Sequence, residues 1–352
     1  VYKNIVCLGL SLFVVLGVVT EVRAAKKKSP VWTDTKAENI PQDYGFQGEF
    51  AGKSIGCQVI SLGGGKLHAV VYPGGLPGDG WDGKSKILMD GTIGDGKAAF
   101  SAATGNRKYL AGSASEFSAT TKFPPEGNEQ CSGISDGRTL KIETDTGASF
   151  NLKRIVRESD TLGMRPPKGA ITLFDGSNKD GWNGGRLDEK TKLLNTDGRD
   201  IRTKQKFTNY LVHIEFMLPY RPDARGQGRG NSGVYSVDMY ELQVLDSFGL
   251  EGFNNECGGI YKVADPRVNM CFPPLTWQTF DIEFTSAVVE NGRKVRNARM
   301  TVRHNGVVIH DDQELPGKTG GAAKSPEGSP GSIRMQGHGN PLQYRNIWIV
   351  EN

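Results

Sequence analysis

Three short runs of this chain place side chains suited to sugar chemistry on alternating positions. Glu241 and Gln243 alternate with Tyr240, Leu242 and Val244 in 240–246. Asn231, Gly233 and Tyr235 share one face of 231–237, and Arg334, Gln336 and His338 oppose Ile333 and Met335 in 332–338. A period of two puts each set on a single strand face. Asn, Gln, Arg, Tyr and His make planar or directional hydrogen bonds, which suit hydroxyl-rich ligands. A carboxylate on a concave sheet face loses water, which lifts its pKa toward the range useful for proton transfer. Glu241 and His338 are therefore the acid–base candidates. Asn231, Tyr235, Gln243, Arg334, Gln336, Arg225 and Trp277 are the binding candidates, with Trp182 and Trp277 offering ring faces. The competing roles are a salt bridge from Glu241 to Arg225 or Arg334, and a turn position for His338 between Gly337 and Gly339. No G-x-S-x-G, H-E-x-x-H or phosphate-binding loop is present.

Positioning such a set requires strands, and the sequence supplies them. Residues 40–156 carry short β-rich runs at 54–62, 66–72, 97–102, 139–143 and 149–154, separated by glycines. No helical period is sustained there, which predicts a small antiparallel barrel or sandwich. Residues 157–169, with Pro166-Pro167, read as a linker. Residues 170–352 alternate more cleanly. Val212, Ile214, Phe216 and Leu218 oppose His213, Glu215 and Met217, and Phe280, Ile282 and Phe284 oppose Asp281 and Glu283. His304-Asn305-Gly306 is a hairpin signal. Two packed sheets follow, so the fold class is all-β: a β-sandwich of jelly-roll type preceded by a smaller β domain.

Composition bounds the rest. The 352 residues hold 43 Lys+Arg against 39 Asp+Glu, too even a balance for a nucleic-acid footprint, and no nucleic-acid-binding motif accompanies it. The 47 glycines show no three-residue period, so they mark turns rather than collagen. Lys3, the apolar run 5–19 and Val22-Arg23-Ala24 predict a signal peptide over 1–24, followed by a flexible tail over 25–39. The run is too short for a stable membrane span. Export to the periplasm or beyond makes disulfides the expectation for the remaining cysteines, paired Cys57–Cys131 and Cys257–Cys271 within their domains.

A family resemblance rests on motifs in order along 170–352. They are Ile171-Thr-Leu-Phe-Asp-Gly-Ser, Gly181-Trp182, Asn231-Ser-Gly-Val-Tyr, Tyr240-Glu-Leu-Gln-Val-Leu-Asp, Trp277-Gln-Thr-Phe-Asp-Ile, His304-Asn-Gly, Ile333-Arg-Met-Gln-Gly-His-Gly and Tyr344-Arg-Asn-Ile. This region resembles the 3-keto-disaccharide hydrolase family, and the preceding β unit resembles the extension of its planctomycete-type members. The resemblance implies a concanavalin A-like glucanase sandwich acting outside the cytoplasm on an oligosaccharide or other 3-keto-glycoside. A ketone at C3 acidifies the C2 proton, so β-elimination of the C1 substituent and hydration would give net hydrolysis. A site of this kind uses a base, an enolate stabiliser and an acid for the leaving group. No cofactor motif stands out; a divalent cation near Glu241, Gln243 and His338 is a second way to polarise the ketone. The alternatives are a non-catalytic carbohydrate-binding module and an ordinary glycoside hydrolase. Retaining enzymes of this fold often carry Glu-x-Asp-x-Glu, and this strand reads Glu241-Leu-Gln-Val-Leu-Asp246.

Overall fold

The computed structural model describes residues 30–352; the expected leader and the start of the tail lie outside them. Eight antiparallel strands close into a barrel. In neighbour order they are Gly48–Gly52, Ser149–Ile155, Thr139–Thr144, Cys131–Ser135, Lys97–Ala102, Ile87–Gly94, Lys66–Pro73 and Ile55–Gly63, which returns to the first. Alternation explains the filling. Cys57, Val59, Leu67, Ala69 and Val71 point inward with Phe50, Met89, Leu140 and Leu152. The intervening Ile60, Leu62, Val70 and Tyr72 point outward, and they too are buried. They belong to the same hydrophobic cluster as the sandwich, with Phe248, Leu250, Met270 and Phe272. The barrel is thus docked on the sandwich through an apolar wall.

The sandwich has an eight-stranded and a five-stranded sheet. The larger runs Arg186–Asp188, Leu193–Asn195, Gln343–Glu351, Tyr210–Met217, Trp277–Thr285, Ala298–His304 and Val307–Leu315, with Ile171–Phe174 also on Gln343–Glu351. The smaller runs Trp182–Asn183, Ile201–Thr203, Arg334–Met335, Ser232–Ser236 and Tyr240–Val244. Val212, Ile214, Phe216, Phe280, Ile282 and Phe284 of one sheet meet Val234, Leu242, Val244 and Met335 of the other. The all-β sandwich behind a barrel is therefore the fold, and Asn305-Gly306 turns the hairpin between Ala298–His304 and Val307–Leu315. Among the described residues no helix is long and apolar enough to cross a membrane.

Residues 157–169 lie across the outer face of the larger sheet as a strap. Thr161 Oγ1 donates to Asp281 (2.7 Å), the Gly163 amide donates to Glu215 (2.6 Å), and Trp348 Nε1 donates to the Met164 carbonyl (3.1 Å). Beneath it, His213 Nδ1 is 2.6 Å from Asp281, and Arg345 Nε donates to Glu215 at 2.6 Å. Burial alone would raise the Glu215 carboxyl. Hydrogen bonds from His213, Asn346, Arg345 and Gly163 outweigh it and hold the group down to about 2. Its unfolded value is about 4.3. The strap's stabilisation by Glu215 is therefore complete above that value and is lost as pH falls toward 2. Amide protection at Gly163 should drop on acidification before global secondary structure does, and Glu215→Gln should abolish that acid dependence. An acid dependence retained in the Gln variant would assign it to another group.

Among the described residues four cysteines are free and buried, and neither expected disulfide is present. Cys57 and Cys131 sit on strands four places apart in the eight-stranded ring, across the barrel interior. The Cys257 and Cys271 thiols do meet, but they remain unbonded, and Cys271 Sγ donates to the carbonyls of Leu245 (3.5 Å) and Phe272 (3.4 Å). Burial and then the neighbouring Cys257 push the Cys271 thiol well up.

Candidate active site

The groove lies on the outer face of the five-stranded sheet. Strand register builds it: Tyr235 stands opposite Glu241 on one side and opposite Arg334 on the other, so the three form a row across three strands. Gly233 stands opposite Gln243, one pleat along. Inward-facing Val234 and Leu242 fix this register, because a slip by one residue would bury the polar set. The groove encloses about 270 Å³ between Asn231, Tyr235, Glu241, Gln243, Gln336 and His338, with Gln227, Tyr261, Lys262, Gly320 and Gly321 completing its lining.

Glu241 is the central group. It is 4% exposed, and burial lifts its carboxyl to about 7 against the opposing pull of Tyr235 and Arg334. Tyr235 Oη stands 2.8 Å from Glu241 Oε2 and 2.8 Å from the Gly320 carbonyl. One hydroxyl proton cannot serve both acceptors. When Tyr235 donates to Gly320, the Glu241 carboxyl must itself be protonated to complete the pair; when Glu241 is ionised, Tyr235 turns its proton toward it. The pair thus has two hydrogen-bonding arrangements, one for each protonation state of Glu241. Behind it, the Arg334 guanidinium stacks 3.5 Å from the Tyr235 ring centroid and is tied to Asp238 (2.9 Å) and the Gly321 carbonyl (2.8 Å).

The amides form a chain of their own. Gln243 Nε2 donates to Asn231 Oδ1 (2.9 Å), and Asn231 Nδ2 donates to Gln227 Oε1 (2.7 Å). His338 is exposed at the rim of the groove it lines, and its backbone is left-handed (φ 43°). Its neighbour Gly337 must lack a side chain because the Arg199 backbone passes where Cβ would stand. Gly233 is needed for a second reason. A Cβ there would lie 2.9 Å from Glu241 Cγ and 3.0 Å from its Cδ. Gly233→Ala should displace the carboxyl and lower kcat by about 10- to 100-fold, since small misplacements of reacting groups cost that much. Steady-state kinetics alongside a melting curve checks this; unchanged kcat would mean that the Glu241 position is not critical.

Residues 169–350 match the family of 3-keto-alpha-glucoside-1,2-lyase-like domains. The chain belongs to this family. That places it among carbohydrate-active enzymes. Three solved structures of candidate glycosyl hydrolases from Parabacteroides distasonis ATCC 8503 are similar to this 3-keto-alpha-glucoside-1,2-lyase-like chain. One is 33% identical, with TM-score 0.47, covering 53% of this chain and 85% of its own. The others are 18% and 20% identical, with TM-scores 0.38 and 0.37, each covering 52% of this chain and 94% and 99% of their own. No curated protein matches the chain.

Within the lyase-like domain, four aromatic or basic candidates fall outside the groove lining. Arg225 is a correction: its guanidinium donates to the Leu62 carbonyl of the barrel (2.8 Å) and lies over the Phe117 ring. Trp277 is another. It opens a strand of the larger sheet, with Arg345 4.1 Å from its ring centroid, and it lines a separate cleft against the barrel. Trp182 is 2% exposed and donates to the Leu173 carbonyl, so it offers no ring face. Arg334 acts from behind Tyr235 rather than in the lining. The missed residues are Gln227, Tyr261 and Lys262, which reach the groove from loops. The only sequence signal for Tyr261 and Lys262 is a Tyr-Lys pair following Gly258-Gly259. Among the described residues no three His, Cys, Asp or Glu side chains converge as a cation site.

Proposed function

We propose that this chain cleaves 3-keto-glycosides by elimination and hydration, outside the cytoplasm. The carrying observation is Glu241, a carboxyl poised near neutrality by burial and coupled to Tyr235 in an open, amide-lined groove. Family membership supports the reading. The ionised Glu241 takes the C2 proton. The C–H electron pair forms a C2–C3 double bond with negative charge on the C3 oxygen. Lys262, which lines the groove and carries an ammonium group, and the Gln336 amide are the groups offered for that oxygen. Collapse of the enolate breaks the C1–O bond, and His338 at the rim protonates the departing aglycone oxygen. Water then adds across the enone, hydroxyl to C1 and proton to C2. The Tyr261 ring supplies an apolar wall for the sugar.

The test is incubation with a 3-keto-glucoside and with its unoxidised parent, in heavy water. Turnover of the keto compound with deuterium at C2 is expected. Turnover of the parent alone would replace the reading with ordinary glycoside hydrolysis. Saturable binding without turnover of either would make the domain a binding module. Export by the leader is checked by amino-terminal sequencing of the protein recovered outside the cytoplasm; an uncleaved residue 1 there would overturn it.

A further inference from the structure

Two loops bring Gln227 and the Tyr261–Lys262 pair to the groove, and both are gripped by the barrel rather than by the sandwich alone. Between barrel strands Lys97–Ala102 and Cys131–Ser135 the chain leaves the barrel in a long arm, where Lys108–Tyr109 pairs with Phe117–Ser118. The Tyr109 hydroxyl donates to Glu256 Oε1, and its ring packs edge-on against Phe253 (5.7 Å). Glu256 is 2% exposed, and its other oxygen accepts from the amides of Gly252 (2.7 Å) and Phe253 (3.1 Å). The Gly259 amide donates to the Glu256 carbonyl at 2.9 Å, and the Tyr261 amide donates to the Glu241 carbonyl at 3.1 Å. A buried carboxylate therefore organises the loop, and the barrel supplies one of its three donors. Lys86 (3.0 Å) and the Thr121 amide (3.1 Å) hold Glu251 at the same loop's start.

The second loop is treated alike. Arg225 reaches the Leu62 carbonyl, and the Leu110 side chain lies against Gly226. Gln227 Nε2 donates to the Asn255 carbonyl at 2.7 Å, tying the two loops together.

We propose that the barrel arm is a specificity element: Tyr109, through Glu256, sets where Tyr261, Lys262 and Gln227 stand and so shapes the groove wall that meets the substrate. Tyr109 is a positioning residue and touches no substrate. The inference rests on the groove being the substrate site proposed above, and the experiment separates the two.

In the full chain, Tyr109→Phe keeps the ring on Phe253 and removes only the donor. Hydrogen–deuterium exchange over 252–261 should speed at least about fivefold. KM for the 3-keto-glucoside should rise about fivefold or more, with kcat within about twofold. Glu256→Gln should reproduce both effects. In a Tyr261→Ala background, Tyr109→Phe should raise KM by clearly less than in the wild type, because one of its three routes to the groove has been removed. Unchanged exchange overturns the proposal. So does faster exchange with unchanged KM, or a KM effect that multiplies fully with Tyr261→Ala, or a proportionate fall in kcat, which marks a merely structural role. If the wild type turns over no keto-glycoside, the same comparisons are read on its Kd for the 3-keto-glucoside. The catalytic reading then fails while the positioning inference still stands or falls by exchange and Kd.

Discussion

Glu241→Gln should lower kcat on a 3-keto-glucoside by about 10²- to 10⁴-fold, the range for loss of a positioned general base. KM should stay within about threefold, because the amide keeps the shape and can still hydrogen-bond Tyr235. The pH profile carries the sharper signature. As the proposed base, Glu241 acts in its ionised form, and burial lifts its carboxyl to about 7, so kcat/KM should rise with pH through that value. The residual activity of the Gln variant should lack this limb. Tyr235→Phe should keep the limb but move it to higher pH, since the tyrosine hydrogen bond lowers the Glu241 pKa and its loss lets burial act unopposed by it. A limb at the same pH in all three proteins would assign it to substrate or to another side chain. Full activity of the Gln variant would remove Glu241 from the chemistry.

The largest expected stability effect lies at the seam between barrel and sandwich. Arg229 and Asp246 form an ion pair at 2.8 Å, with side chains 5% and 1% exposed. Arg229 also donates to the Ser61 carbonyl of the barrel at 3.0 Å. Arg229→Met strands a buried carboxylate and should destabilise by about 3–5 kcal/mol, as breaking one partner of a buried pair does. The double variant Arg229→Met, Asp246→Leu should recover much of that loss, because no unpaired charge remains and the desolvation cost of the pair disappears. Urea unfolding of the two variants and wild type decides this. A double variant as unstable as the single would mean that the Ser61 contact, not the charge pair, carries the energy.

The sequence made the face assignments of the groove legible and left its loops obscure, for a physical reason. Asn231, Tyr235, Glu241, Gln243, Gln336 and His338 sit on or beside strands, where a period of two reports the face directly, and all six line one groove. Even the brief strand Arg334–Met335 keeps its pattern, with Met335 in the core and Arg334 on the groove side behind Tyr235. Tyr261, Lys262 and Gln227 arrive on irregular backbone set by contacts distant in sequence, such as Tyr109 with Glu256, which no local pattern encodes. Arg225 and Trp277 were assigned by residue type alone, and both face the barrel side of the molecule. The barrel itself was legible as short strands between glycines. Its docking was not, because outward Ile60, Leu62, Val70 and Tyr72 alternate with inward residues of the same apolar kind. Residence in one domain did not bring Cys57 and Cys131 together, because it says nothing about which side of a barrel a thiol occupies, whereas the Cys257 and Cys271 thiols do meet.

Strand Tyr240–Val244, which carries Glu241, is the outermost strand of its sheet. Its free flank is taken up by the loop. The Gly258 amide donates to the Gln243 carbonyl at 2.9 Å, the Gln243 backbone amide donates to the Gly259 carbonyl at 2.8 Å, and the Tyr261 amide donates to the Glu241 carbonyl. An open flank of this kind is a template for strand addition from another molecule. The loop that walls the groove therefore also guards against self-association, and the exposed Lys262 beside it adds a charge where a foreign strand would have to pair. The groove wall is constrained on both counts: a loop loosened to widen the groove uncovers the hydrogen-bonding flank of the strand that carries Glu241.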